Sequence, residues 1–382
     1  GEQGNFPVVR NGRVVGMLCG PDLARHLAEP GGTELAAEHA MRPPVLIRTS
    51  FLLLALALAL AAPAQAAWSE QGVAVATLAH PKGGYDRATM LHDPGGAYFA
   101  YLPYSFGDCL LHLDAAQASA WVKDAAFFPG APAGEMGNAV ALDGSGGLFV
   151  FECAEARLHH VAANGTEDWG PGGAGLVVDA GAGAGVALAA DGSGGVWGAW
   201  GFGTDGGVRL QRWLANGTVA PGWGPLGRLF PGTLFPALAR DGAGGVLLAF
   251  FSAGDTRMRV TRVQADTTIA PGWTAAGLEL GAFGWSSAGL HPLLVPSGDD
   301  GWIAVWPGES PTMTSAAARR FLADGTLDPA WAGGAPLAMV TYADLGHFPD
   351  TFADGAGGFH HVWPDSATGA PRWLHVTGSG GY

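Results

Sequence analysis

Asp191-Gly-Ser-Gly-Gly195 runs directly into Val196-Trp-Gly-Ala-Trp200, and close copies of both halves recur along the chain. The corner returns as Asp143-Gly-Ser-Gly-Gly147, Asp241-Gly-Ala-Gly-Gly245 and Asp354-Gly-Ala-Gly-Gly358, and in altered form as His92-Asp-Pro-Gly-Gly96 and Ser297-Gly-Asp-Asp-Gly301. Its last Gly falls at 96, 147, 195, 245, 301 and 358, at spacings of 51, 48, 50, 56 and 57. Glycine supplies the positive φ that tight hairpins need, and Asp can hydrogen-bond the backbone of the turn it opens. Each corner is therefore expected to join two strands.

The flanking runs fit that reading. Ala139–Leu142, Val186–Ala189 and Pro236–Ala239 precede corners; Val196–Trp200, Val246–Phe250, Trp302–Trp306 and Phe359–Trp363 follow them. Such short runs, rich in Val and aromatics and bounded by Gly, read as strands. A third strand ends in a second turn, as in Arg212-Trp-Leu-Ala-Asn-Gly-Thr218, Arg262-Val-Gln-Ala-Asp-Thr267 and Arg320-Phe-Leu-Ala-Asp-Gly-Thr326. A tryptophan stands between that turn and a fourth strand such as Gly277–Leu280, so that Trp68, Trp121, Trp169, Trp223, Trp273 and Trp331 each open a unit. Four strands in roughly fifty residues is the signature of a propeller blade, a unit that buries its core only against its neighbours. The expected fold of residues 67–382 is all-β, a six-bladed β-propeller. A lone strand of the fourth type, Gly72–Thr77, precedes the first corner, and the last unit ends on its third strand, Trp373–Val376. Pairing the two would close the ring.

Phe321-Leu-Ala-Asp-Gly-Thr-Leu-Asp-Pro-Ala-Trp-Ala-Gly-Gly334 resembles the turn of the tandem propeller-type repeats found in large secreted bacterial proteins. The resemblance spans residues 68–382. Its motifs are structural, and it implies a propeller fold and export rather than a reaction.

Composition agrees with an all-β, turn-rich chain: 48% apolar, 14% charged, 63 Gly and 26 Pro among 382 residues. Net charge is −14, and residues 1–66 contribute five Arg against five Asp/Glu, so the whole imbalance lies beyond them. An acidic surface with no basic stripe argues against nucleic acid as a partner. Of the three cysteines, Cys109 and Cys153 fall in adjacent units, where an exported chain would allow a bridge and a reducing compartment two buried thiols.

Residues 41–66 read as a signal peptide or signal anchor. Met41-Arg-Pro-Pro-Val-Leu-Ile-Arg48 is basic, Phe51–Ala62 is a twelve-residue apolar run, and Pro63-Ala-Gln-Ala66 supplies the small residues of a cleavage site. The run falls short of the ~20 residues that span a bilayer. Residues 1–40 form an N-terminal extension, either fused upstream of the exported chain or a cytoplasmic segment before an anchor. Within it, Phe6–Leu18 followed by Pro21–Ala28 resembles the second half of a CBS motif: strand, turn, strand, then a helix opened by Asp22. CBS modules pair two motifs to form a nucleotide cleft. Here Cys19-Gly20-Pro21 stands where the ligand-contacting Ser/Thr is usual, so nucleotide binding does not follow from the resemblance.

One position near the end of the third strand is basic in every unit: His112, His160, Arg212, Arg262, Arg320 and His375. Residues repeated in every unit serve the scaffold, because a site needs asymmetry. These side chains and the corner aspartates are expected to pair, and the repeated aromatics Tyr101, Trp200, Phe250, Trp306 and Trp363 to pack between blades. Glu152 takes that aromatic position in the second unit and breaks the pattern. The functional expectation falls on unrepeated residues at the entrances of the innermost strands: Asp86, Arg87, Glu135, Asn138, His291, His347 and Asp350. Carboxylates and imidazoles meeting at one channel mouth could bind ligand or move protons. None of them has metal-ligand spacing, and no cofactor motif is present. His159-His160 and His360-His361 lie on strands, where neighbours point to opposite faces and do not chelate one ion. The sequence thus points to a secreted, periplasmic or cell-surface monomer that binds an extracellular protein or glycan, with no membrane association after signal cleavage. The alternative is an extracellular hydrolase or lyase acting at the channel mouth.

Overall fold

The computed structural model describes residues 5–10, 13–19, 89–92, 98–102, 108–114, 119–128, 139–152, 156–178, 183–201, 206–283, 292–298, 301–308, 315–331, 337–341, 350–364 and 371–382. Their regular secondary structure is almost entirely strand. Near the N-terminus, β1 (Asn5–Arg10) and β2 (Arg13–Cys19) form an antiparallel hairpin with an irregularity between Val8 and Val9. The segments 41–66 and Gly72–Thr77 lie outside the described residues.

Six antiparallel meanders follow among the described residues. The first is β3 (Thr89–His92), β4 (Tyr98–Leu102), β5 (Asp108–Leu113) and β6 (Ser119–Phe128). The second is β7 (Ala139–Leu142), β8 (Leu148–Glu152), β9 (Arg157–Val161) and the short β10 (Leu176–Val177). The third is β11 (Gly183–Ala190), β12 (Val196–Gly201), β13 (Gly207–Trp213) and β14 (Arg228–Pro231), and the fourth β15 (Thr233–Arg240), β16 (Val246–Ser252), β17 (Arg257–Val263) and β18 (Leu278–Ala282). The fifth is β19 (Leu293–Pro296), β20 (Gly301–Pro307), β21 (Ser315–Leu322) and β22 (Leu337–Thr341). The sixth has three strands, β23 (Asp350–Ala353), β24 (Phe359–Pro364) and β25 (Pro371–Val376), so β25 is an edge.

The first strands of successive sheets adjoin: β7 meets β11, β11 meets β15, β15 meets β19 and β19 meets β23. This is propeller-type packing, with one strand of each sheet turned towards a common centre. The core is correspondingly divided into seams. Trp197, Val208 and Leu210 of the third sheet pack with Val246, Leu248 and Phe250 of the fourth, and similar clusters join each described sheet to the next. The second strands of the second to fifth sheets are buried on both faces, so they lack an apolar–polar alternation and runs such as Val246–Phe251 are apolar throughout.

The corner explains its own spelling. In Asp191–Gly195, Oδ1 of Asp191 accepts from the backbone N–H groups of Ser193 (2.7 Å) and Gly195 (2.9 Å). Gly192 and Gly194 have φ of 80° and 84°, and a Cβ on Gly195 would collide with the Trp213 carbonyl oxygen. Two glycines therefore serve the turn and the third a close approach.

Candidate functional site

In the second, third, fourth and sixth sheets the repeated polar residues form the expected pairs, each within its own sheet. The second carboxylate oxygen of the corner aspartate takes the basic residue of the third strand: His160 Nε2 lies 3.0 Å from Asp143 Oδ2, Arg212 Nη2 2.7 Å from Asp191 Oδ2, Arg262 Nε 2.8 Å from Asp241 Oδ2, and His375 Nε2 2.9 Å from Asp354 Oδ2. In the fifth sheet Ser297 replaces the aspartate. Arg320 donates there to Ser297 Oγ and, through Nη1, to Asp328 Oδ2, both at 2.7 Å. The four aspartates are buried or nearly so, and every one is tied to its own turn backbone. Burial works against the charge on Asp143, but hydrogen bonds from His160, Ser145 and Gly147 overcome it and bring the carboxyl down to about 2. In the first sheet His112 stacks on Phe99 at 4.3 Å.

The second sheet departs from this scaffold at three positions at once. Glu152 stands where Trp200, Phe250 and Trp306 are buried against the preceding sheet. Glu167 stands where Val219, Ile269 and Leu327 make the equivalent backbone bridge to the third strand. His159, on β9, takes the position of Gln211, Thr261 and Arg319. The three meet in the interior. His159 Nδ1 lies 2.8 Å from Glu167 Oε2 and its Nε2 3.4 Å from Glu152 Oε2, with side-chain exposures of 6%, 6% and 1% for His159, Glu167 and Glu152. Gly175, at φ 75°, lets the backbone lie flat against the imidazole, since a Cβ there would come within 2.7 Å of the ring. An ionised carboxylate only accepts, so a ring bonded to two of them must carry a proton on each nitrogen. Burial disfavours that charge; the hydrogen bonds and fields of Glu152 and Glu167 outweigh it and raise the pKa of His159.

The adjacent residues repeat the arrangement on the other face of the strand. His160 Nδ1 contacts Asp168 Oδ1 at 2.7 Å while its Nε2 contacts Asp143. Here too burial opposes the charge and the two carboxylates overcome it, raising the pKa. Two acid–imidazole–acid bridges thus stand back to back. The two acids of each bridge sit at opposite edges of a ring and do not share an ion. Among the described residues no group of three or more His, Cys, Asp or Glu side chains is arranged to hold a metal.

Of the residues expected at the innermost-strand entrances, Asp350 is the first residue of β23, paired in register with Val362. Its side chain, and the residues Asp86, Arg87, Glu135, Asn138, His291 and His347, lie outside what the structure describes, as does the Cys109–Cys153 relationship. Ala139, which opens β7, pairs with Phe151, so Glu152 ends its strand at the entrance side of the second sheet. The sequence marked Glu152 as a break. It did not reveal His159 and Glu167 as its partners, although all three depart from the repeat in one unit and that coincidence was the available signal.

No protein-family model and no curated protein matches the chain. Among solved structures it is similar to virginiamycin B lyase from Staphylococcus aureus, at 11% identity over 78% of this chain and 85% of that one, with a TM-score of 0.42. It is also similar to a quinonprotein alcohol dehydrogenase-like protein from Bacteroides thetaiotaomicron (8% identity, 79% of this chain, 66% of that one, TM-score 0.44). An endo-arabinase from the same organism aligns at 14% identity over 80% of this chain and 98% of that one, with a TM-score of 0.35.

Proposed function

We propose that the protein is an exported propeller whose ring of sheets is a scaffold presenting an unrepeated rim to an extracellular protein or glycan. The observation that supports this is the division of labour among polar side chains. The corner aspartates pair with the basic residues that face them within the sheet, and the indoles of Trp121, Trp169, Trp223 and Trp273 hook between sheets. Function then falls to positions that differ between units, and the innermost-strand entrances carry Asp86, Arg87, Glu135, Asn138, His291, His347 and Asp350. Retention of the full exported chain on a printed glycan array and on extracellular-matrix proteins tests the reading; equal, unselective signal on all surfaces contradicts it.

A second reading, a hydrolase or lyase at the channel mouth, draws on Glu152. This buried acid ends β8 at the entrance side and is coupled through His159 to a second acid. Turnover of polysaccharide substrates that disappears in Glu152→Gln, with folding retained, would favour it.

A further inference from the structure

We propose that the second sheet is a proton-dependent clamp, whose bridges Glu152–His159–Glu167 and Asp143–His160–Asp168 hold it together and against the first sheet only while both imidazoles carry a proton. The third, fourth and fifth sheets use arginine at the position of His160, and arginine stays charged across the physiological range. Among these four sheets only the second ties its third strand with two histidines, and it surrounds them with four carboxylates.

The charges facing each ring define the response. His159 meets Glu152 from β8 and Glu167 from the segment after β9. Arg157, on the same strand, directs Nη1 to the Ala174 carbonyl at 2.9 Å. From the first sheet, Lys123 of β6 reaches Glu167 electrostatically, while burial holds its pKa below the ordinary value. His160 meets Asp143 and Asp168, and its ring lies 4.9 Å from Phe149 and 5.4 Å from Trp169. Loss of the two protons leaves four carboxylates facing neutral rings, and among the described residues the Oε1 atoms of Glu152 and Glu167 have no hydrogen-bond partner. An unpaired buried carboxylate is costly, so water is drawn into the seam. Both histidines have folded pKa values raised above 6.5. Their contribution is therefore complete below the unfolded pKa and is lost as pH rises through the folded values.

Hydrogen exchange of the full chain at pH 6 and pH 9, corrected for intrinsic rates, tests this. Residues 139–178 are expected to lose protection at the higher pH relative to residues 206–283, because the stability a raised folded pKa supplies is lost as pH rises through it. His160→Arg, which installs the residue of the third sheet, should reduce that loss. Should that variant fail to fold, Arg212→His combined with Ala220→Asp rebuilds the acid–imidazole–acid bridge in the third sheet and should carry the pH dependence to residues 183–231. Identical pH profiles for the second and fourth sheets of the unaltered protein would overturn the proposal. So would a third sheet that stays insensitive to pH in the rebuilt variant.

Discussion

The indole nitrogen of Trp273 donates to the carbonyl of Ala323 at 3.1 Å, fifty residues downstream, so a side chain leaving the fourth sheet closes on a turn of the fifth. The same hook links Trp121 to Ala163, Trp169 to Ala215 and Trp223 to Ala265 at 2.9, 3.2 and 2.9 Å. The turn receiving the hook is Ala-Asn/Asp-Gly-Thr at 163, 215 and 323 and Ala-Asp-Thr-Thr at 265, and at 165 and 325 its glycine lies directly under an indole. Arg262 Nη1 reaches the Ala323 carbonyl as well, at 3.2 Å.

Trp273→Phe should therefore lower stability by ~1 kcal/mol for the hydrogen bond, with a further loss from ring contact. Arg262→Ala should cost ~1–3 kcal/mol, because Asp241 is left buried without its partner. Each single variant leaves the Ala323 carbonyl one of its two donors and the double variant removes both, so their effects should exceed the sum in a double-mutant cycle followed by chemical denaturation. Strict additivity would show that the hook and the ion pair act separately.

Thr267 occupies the glycine position of the fourth sheet's turn with φ at 77°, where Gly165, Gly217 and Gly325 have 81°, 77° and 86°. A β-branched residue in this region is strained by ~1–2 kcal/mol. Thr267→Gly should accordingly raise the thermal midpoint, the strain relieved exceeding the added freedom of the unfolded chain. A lowered midpoint would mean that the Thr267 side chain makes a contact worth more than its strain.

The sixth sheet should respond to acid. Burial holds His361 neutral to about 4, and burial together with the field of His375 does the same for His360, against an ordinary value of 6.5. A histidine with a depressed folded pKa contributes stability that is complete above 6.5 and is lost as pH falls towards 4. Exchange of residues 350–364 measured between about pH 7 and pH 4.5 should show that loss, and His361→Gln, which does not charge, should reduce it. An unchanged profile in the variant would place the acid response elsewhere.

The repeat made the strands legible because each strand is bounded by residues with one purpose. Asp and Gly at the corner, and Asn or Asp with Gly at the second turn, occur where the backbone demands them. The Asp191–Arg212 pairing was legible for the same reason, since both partners recur in step. The hook was not: burial of the repeated tryptophans follows from their type, but nothing in sequence says where an indole N–H points. The second-sheet bridges were hidden differently. His159 and His160 do point to opposite faces, and so they form no chelate; their partners are acids that a strand pattern does not place. Residues 86, 87, 135, 138, 291 and 347 lie outside the described residues, and repeat spacing alone does not place their side chains.

Closure of the ring has a specific signature. Leu110, Leu158, Leu210, Val260 and Ala318 occupy one position of the third strand and are fully buried, whereas Trp373, at that position on the edge strand β25, is 45% exposed. If Gly72–Thr77 pairs with β25 and brings the first sheet against the sixth, Trp373 should be covered. Deleting residues 67–78 should then lower the melting temperature of the whole domain and shift tryptophan emission to the red, because an open propeller leaves two edges free. An unchanged melt and spectrum would rule out this closure.

The proposed site is a set of residues apart from the scaffold, and binding measured alongside melting tests that separation most directly. On a surface that retains the unaltered protein selectively, His291→Ala and Asp350→Ala should each weaken retention by about tenfold, the equivalent of about 1.4 kcal/mol, at an unchanged melting temperature. Arg262→Ala should lower the melting temperature and leave retention by the folded fraction intact. Loss of retention in Arg262→Ala at a normal melt, with both rim variants binding as the unaltered protein does, would contradict it.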